Sequence, residues 1–330
     1  MRAVKLLLVE GMPGAGKSTL AQGVLRQLGA SGVAARWWYE EDAGHPVYCF
    51  RNAEELRQVV ADLGSGQHGR VIAAALEQWR AFAASVAAGD EVVVLDGCLF
   101  GYLTWSLFPF DVPDGEILAY VAEVASILSG VDPCVVSIRT DDVAASWRRL
   151  FAARGEAWAR SAVERVTKSP YGERRGLVGF EGLVAYWQAY QGLVDEVFAR
   201  LSFAKLALGM DEQGSYLPAV LAFLGVTPGE AVVAPDDEVM RFAGRYMRRE
   251  GDDERRVEVA VREGALSLVG VPELWPQNRL VPVAAGEFVV EAFPFRVRFG
   301  GGAPGRGTQM VIDGPDLLGG VVTGLYVKEG

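Results

Sequence analysis

The chain has 330 residues, half of them hydrophobic and 22% charged, with a formal net charge of −10. That length accommodates two domains of roughly 100 to 200 residues each, and the balance is that of a globular chain with a full core, not of a disordered or fibrous one. The acidic excess argues against a broad nucleic-acid surface, which needs Lys and Arg to neutralise phosphates, and Cys49, Cys98 and Cys134 have neither metal-type spacing nor the even number of a disulfide framework.

The first element is the apolar run Val4 to Val9, ending at Glu10-Gly11, as expected of a parallel strand buried on both faces. It is too short for a signal peptide, and no later stretch reaches the roughly 20 apolar residues that span a bilayer. A cytoplasmic protein without a membrane partner is expected. A glycine-rich loop follows, then a helix over Thr19 to Leu28 stopped by Gly29, and a strand over Val33 to Tyr39 leading into the acidic turn Glu40 to Pro46. Helices are expected at Ala53 to Leu63 and Val71 to Ala88. Glu91 to Leu95 reads as the central strand, with Asp96 at its carboxyl end.

Beyond it, the pattern predicts a helix over Glu116 to Leu128, a strand over Cys134 to Ile138 and a helix over Asp141 to Ala153, then a long helix over Phe180 to Leu201, a strand over Phe203 to Leu208 and a closing helix over Tyr216 to Leu224. Alternation of this kind implies an α/β fold with a parallel sheet and helices on both faces, over residues 1–225. After a connector at 226–235 the period changes to two. Val257, Val259 and Val261 precede a Glu263-Gly264 turn, Leu266 and Leu268, and Phe295, Val297 and Phe299 alternate with Arg296 and Arg298. A small antiparallel β domain is expected over 236–330, with Gly300-Gly301-Gly302 as a hairpin loop.

The loop Gly11-Met12-Pro13-Gly14-Ala15-Gly16-Lys17-Ser18 has the spacing of a P-loop. Glycines in this pattern let backbone N–H groups face inward, and the following helix directs its positive end at phosphates. ATP, or GTP as the alternative, is expected along Gly11 to Thr19, with Met12, Gly14, Ala15 and Gly16 in the cradle and Lys17 at the β and γ phosphates. Ser18 offers a hydroxyl to magnesium. Asp96, ending a neighbouring strand, is the second expected magnesium participant or an activator of the acceptor.

From Arg139 to Arg175 nine basic residues stand against five acidic ones, including Arg148, Arg149 and Arg154. In phosphoryl transfer such a segment serves as a mobile anion clamp, and otherwise it is a solvated helix face. In the turn after the second strand, Glu40, Glu41, Asp42 and His45 offer a base for an acceptor hydroxyl, with Glu41 the residue selected. Trp37, Trp38 and Tyr39, with Tyr102, Trp105, Phe108 and Phe110, are either pocket wall or core.

With the Gly11 to Ser18 loop, Val94-Leu95-Asp96-Gly97 and the run Ser146 to Gly155 in place, the first 225 residues resemble the nucleoside and nucleotide kinase group of P-loop proteins, thymidylate kinase-like in particular. The resemblance implies that Lys17 and Ser18 hold ATP and magnesium, that Asp96 lies beside the acceptor, and that Arg148, Arg149 or Arg154 close over the phosphates. It departs after Asp96, where the family usually has arginine and an aromatic residue and this chain has Gly97 and Cys98. Around Phe242 to Tyr246, Leu280 to Val283 and Phe295 to Val297 the remainder is similar to β domains appended to β-lactamase-type serine hydrolases, without their Ser-x-x-Lys motif.

The function expected is a small-molecule kinase passing the γ-phosphate to an acceptor hydroxyl or phosphate. The alternatives are a nucleotide-dependent switch with slow ATP hydrolysis and a protein partner, and an ATP-dependent ligase. The acceptor's identity and the oligomeric state are not legible.

Overall fold

A computed structural model describes residues 4–230, 232–250, 253–271, 274, 277–300, 308–317 and 322–329. The chain divides into two compact units, one of residues 1–40 and 44–228, the other of 229–330 with Glu41–Ala43. Asp42 bridges to Leu317 and the Ala43 N–H donates to the Asp316 carbonyl at 2.8 Å, which is why that short segment groups with the second unit.

In the first unit the elements run β1 (Leu6–Gly11), α1 (Lys17–Ala30), β2 (Ala35–Trp38), α2 (Ala53–Gly64), α3 (His68–Ala88), β3 (Val92–Asp96), α4 (Phe100–Trp105) and α5 (Asp114–Leu128). There follow β4 (Pro133–Arg139), α6 (Val143–Arg154), α7 (Glu156–Thr167), α8 (Pro170–Arg174), α9 (Gly179–Arg200), β5 (Ala204–Gly209) and α10 (Tyr216–Leu224). The strands form a parallel five-stranded sheet in the order β2-β3-β1-β4-β5, flanked by helices. Leu6 to Val9 and Val92 to Leu95 are buried because both strands are interior, whereas the edge strands β2 and β5 expose Arg36 and Lys205.

Helix ends follow local chemistry. Asn52 accepts from the Glu54 and Glu55 amides at 3.0 and 2.9 Å, and Asp142 accepts from Ala145 N at 2.8 Å. Gly225, at φ 68°, ends α10 in the left-handed conformation. Three helices depart from the sequence expectation. α4, α7 and α8 lie where the sequence was read only for its aromatic residues or its basic charge. α7 buries only Val166, so it carries no wide apolar stripe to announce it.

The sheet order sets the site. β1 continues to β2 on one side and β4 continues to β5 on the other, so these adjacent strands send their connections apart and open a crevice at their carboxyl ends. Gly11 lies at that end, paired with Ile138. Val9 pairs with Asp96, which brings the aspartate to within two residues of the loop's first glycine.

In the second unit, α11 (Asp236–Phe242) precedes β6 (Gly244–Glu250), β7 (Asp253–Arg262), β8 (Ala265–Val269), β9 (Gln277–Ala284), β10 (Glu287–Val290), β11 (Arg296–Gly300), β12 (Gln309–Asp313) and β13 (Gly324–Lys328). The expectation of a small β domain is corrected here. The strands pair antiparallel in sequence order, and β13 returns to β6 through Val327–Met247 and Lys328–Tyr246, closing an eight-stranded barrel. Closure removes the edges that a small open sheet would leave. Alternation along the strands is as read. Val257, Val259, Leu266, Leu268, Val297 and Phe299 are buried, while Arg296 and Arg298 are exposed. Gly300 ends β11, and Gly301 and Gly302 lie outside the described residues.

Candidate functional site

The loop from Gly11 to Ser18 joins the central strand to the start of α1. Gly14 and Gly16 take φ of 78° and 87°, which bends the backbone so that the Ala15 amide returns to the Met12 carbonyl at 3.1 Å. α1 begins with no side-chain cap and no acidic residue in its first turn, so the positive end of its dipole is not countered from its own sequence. Leu150 on α6 packs against Gly14, where a Cβ would meet its Cδ1 at 3.1 Å. The helix carrying Arg148, Arg149 and Arg154 therefore lies against the loop.

Lys17 is buried, and its Nζ lies 3.8 Å from Glu40 Oε2. Burial by itself would lower the ammonium's pKa, but Glu40, Asp96 and Glu10 together outweigh it and raise the pKa above its ordinary value. Asp96 is fully buried, and neither carboxylate oxygen has a hydrogen-bond partner. Burial pushes its carboxyl well above the usual range, Glu40 and Glu10 push it further, and Lys17 and Ser18 pull it back. Ser18 thus stands close enough to favour the Asp96 carboxylate without a hydrogen bond of normal distance and angle. Two orphaned carboxylate oxygens beside a hydroxyl are hard donors of the kind a small divalent cation takes.

The Gly97-Cys98 departure has a physical cause. A Cβ at position 97 would overlap Glu40 Oε2 and lie 2.9 Å from Lys17 Cε, so a glycine there makes room for the ion pair. Cys98 is held in a chain of neutral donors. Val47 N–H donates to His45 Nδ1 at 3.4 Å, which assigns the imidazole proton to Nε2, 3.2 Å from Cys98 Sγ, and the thiol donates to the Asp96 carbonyl at 3.0 Å. Burial lowers the His45 pKa to about 3 and pushes the Cys98 thiol up, so the two form a neutral brace and not a thiolate–imidazolium pair. Tyr48 stacks on His45 with ring centroids 4.4 Å apart and donates to the Glu40 carbonyl at 3.0 Å.

Glu10 is a candidate site residue that sequence reasoning passed over, having read it only as the end of an apolar run. Its Oε1 accepts from Leu99 N at 2.8 Å, and Oε2 accepts from Phe100 N at 3.1 Å and Gly101 N at 3.3 Å. It caps α4 from a strand some 90 residues away. Its pKa is raised to about 7, burial outweighing the three amides and Lys17. A charged residue inside an otherwise apolar central strand was the available signal.

Of the acidic turn, Glu40 meets Lys17, while Glu41 is exposed and groups with the second unit. The basic segment is three helices, and several of its cations are drawn into ion pairs. Arg139 pairs with Asp195, Arg160 with Glu156, Lys168 with Glu164, and Arg174 and Arg175 with Asp111. Arg148 lies over the Phe180 ring at 5.1 Å, Arg154 over Trp158 at 4.8 Å, and Arg149 donates to Ser146 Oγ at 3.4 Å. The aromatic residues pack with one another, as in the contacts of Trp105 with Tyr102 at 4.8 Å and with Phe50 at 5.3 Å. Among the described residues no helix is long and apolar enough to cross a membrane.

No protein-family model matches the chain, and no curated protein matches it.

Proposed function

We propose that the first unit is an ATP- and magnesium-dependent phosphotransferase built on a P-loop. The observation that carries this reading is the meeting of the buried Lys17 ammonium, at the uncapped start of α1, with the orphaned carboxylate of Asp96 and the Ser18 hydroxyl. In this reading the loop amides and α1 bind the triphosphate, and Lys17 draws charge from its β and γ groups. Asp96 and Ser18 fit magnesium, which supplies charge neutralisation across the phosphates when bound. In the same reading Arg148, Arg149 and Arg154, on the helix whose Leu150 packs against Gly14, stabilise charge on the transferring group.

The test is phosphate transfer from labelled ATP to a metabolite panel, with Lys17→Ala as control. Transfer that vanishes in the variant supports the reading, and transfer that persists at the wild-type rate places the site elsewhere. ADP release that no acceptor raises above the water-only rate favours the nucleotide-switch alternative.

A further inference from the structure

We infer that the seam where the β-barrel closes, between β6 and β13, takes an extended acidic segment of another protein by strand addition. This concerns the second unit alone and does not rest on the phosphotransferase reading of the first.

The two strands are laddered at one end of that seam only. They pair through Val327–Met247 and Lys328–Tyr246, and the Glu329 N–H donates to the Arg245 carbonyl at 2.8 Å. Two steps further on, the same register would join Arg249 to Leu325, and that pairing is missing although both residues lie inside their strands. Their other neighbours are in place, Glu254 on β7 for Arg249 and Val311 on β12 for Leu325. In an antiparallel sheet the N–H and C=O groups of successive residues point to opposite edges of the strand. Arg249 shares the parity of Arg245, and Leu325 that of Glu329, so the main-chain groups of both point into the seam without a ladder partner. A groove of about 530 Å³ lies there, lined by Met247, Arg248, Arg249, Gly324, Leu325 and Val327.

Unpaired strand edges are satisfied by another main chain, which an extended peptide supplies. The side chains of the groove say which peptide. Leu325 and Val327 are 49% and 41% exposed and flank the buried Tyr326, so they offer apolar contacts to every second residue of a guest strand. Charge selects the polar positions. The groove lining brings two guanidinium groups and no carboxylate. Arg249 meets Glu254 at 3.2 Å, but Glu254 is shared with Arg256, so one carboxylate serves two cations and leaves a place for a second. Arg248 crosses from β6 toward β13, its Cδ standing 2.7 Å from where a Gly324 Cβ would be, which puts its stem in the groove wall. Acidic residues on the guest meet this lining favourably, and basic ones are repelled by it.

The experiment uses the full chain and fluorescein-labelled peptides of about eight residues that alternate Glu with Val, Leu or Phe, followed by fluorescence anisotropy. The same peptides with Lys in place of Glu, and with alternate backbone amides N-methylated, are the controls. The expected result is that Glu peptides bind, that both controls bind at least about tenfold more weakly, and that bound peptide slows hydrogen exchange at the Arg249 and Leu325 amides. Arg249→Glu then reverses the preference toward the Lys peptides, an outcome that misfolding does not mimic, and Leu325→Asp weakens the Glu peptides about tenfold while unfolding in urea like wild type. No binding by any Glu peptide, equal binding by the Lys or N-methylated peptides, or binding that leaves exchange at Arg249 and Leu325 unchanged overturns the inference. So does a dimer in sedimentation that Arg249→Glu dissolves, because the occupant of the seam is then a second copy of this chain.

Discussion

Gly97 and Glu40 share one volume: the carboxylate occupies the space that any side chain at position 97 would need, and Lys17 lies against the same spot. Gly97→Ala therefore has two effects. The residue sits at φ 63°, where a Cβ costs about 1–2 kcal/mol, and the methyl must displace Glu40 or the Lys17 stem. We expect a loss of stability of about 2 kcal/mol or more in urea unfolding, together with at least tenfold weaker ATP binding. A variant that unfolds like wild type and binds ATP normally would show that the Lys17–Glu40 pair does not need this space.

Glu10 makes stability depend on pH. Its proton is bound more tightly in the folded chain, at about 7, than in the unfolded one, at the ordinary 4.5. Between those values the folded state holds more protons, so unfolding free energy falls as pH rises, by ~3 kcal/mol across the window. Glu10→Gln has no such proton, and its amide turns an N–H toward one of the three backbone donors. The wild-type advantage over the variant is thus largest near pH 5 and shrinks toward pH 8 in denaturation series. An advantage that grows with pH would mean that the carboxylate is stabilised by its amides more than burial penalises it.

Trp79 and Tyr120 join α3 to α5 through a buried hydrogen bond of 3.0 Å, with Trp79 fully enclosed. Trp79→Phe leaves the Tyr120 hydroxyl without its donor and a void beside it. A destabilisation of about 2–3 kcal/mol is expected, with ATP binding by the folded fraction unchanged. Calorimetry and nucleotide titration on the same sample separate the two effects.

In the barrel, the Phe242 ring from α11 stacks on Phe299 with centroids 4.3 Å apart and meets Phe288 edge-on at 6.2 Å. Phe242→Ala removes this buried ring from the core and should cost about 3–5 kcal/mol. Hydrogen exchange should accelerate in β6 through β13 and stay at the wild-type level in β1, β3 and β4. Uniform acceleration across both units would show that they unfold together.

The order of the parallel strands was written in the chain. Leu6 to Val9 and Val92 to Leu95 had to be interior because an apolar residue at every position suits a strand covered on both faces. The loop spacing announced where Lys17 and Ser18 would lie, since glycine positions and a helix start are local properties. The barrel's alternation was equally local, at Val257 to Val261 and Phe295 to Phe299.

What tertiary structure alone decided was who faces whom. Nothing in the spacing separates Glu40 from Glu41, because which of two adjacent carboxylates turns toward Lys17 depends on how the chain leaves β2. Glu10 acquires its role only when β1 lies beside the turn after β3 and three amides from α4 converge on it. Closure of eight strands required β13 to return to β6 across some 80 residues, a pairing no local pattern encodes. Sequence periodicity reports which side of an element is buried, and long-range packing chooses the partner that buries it.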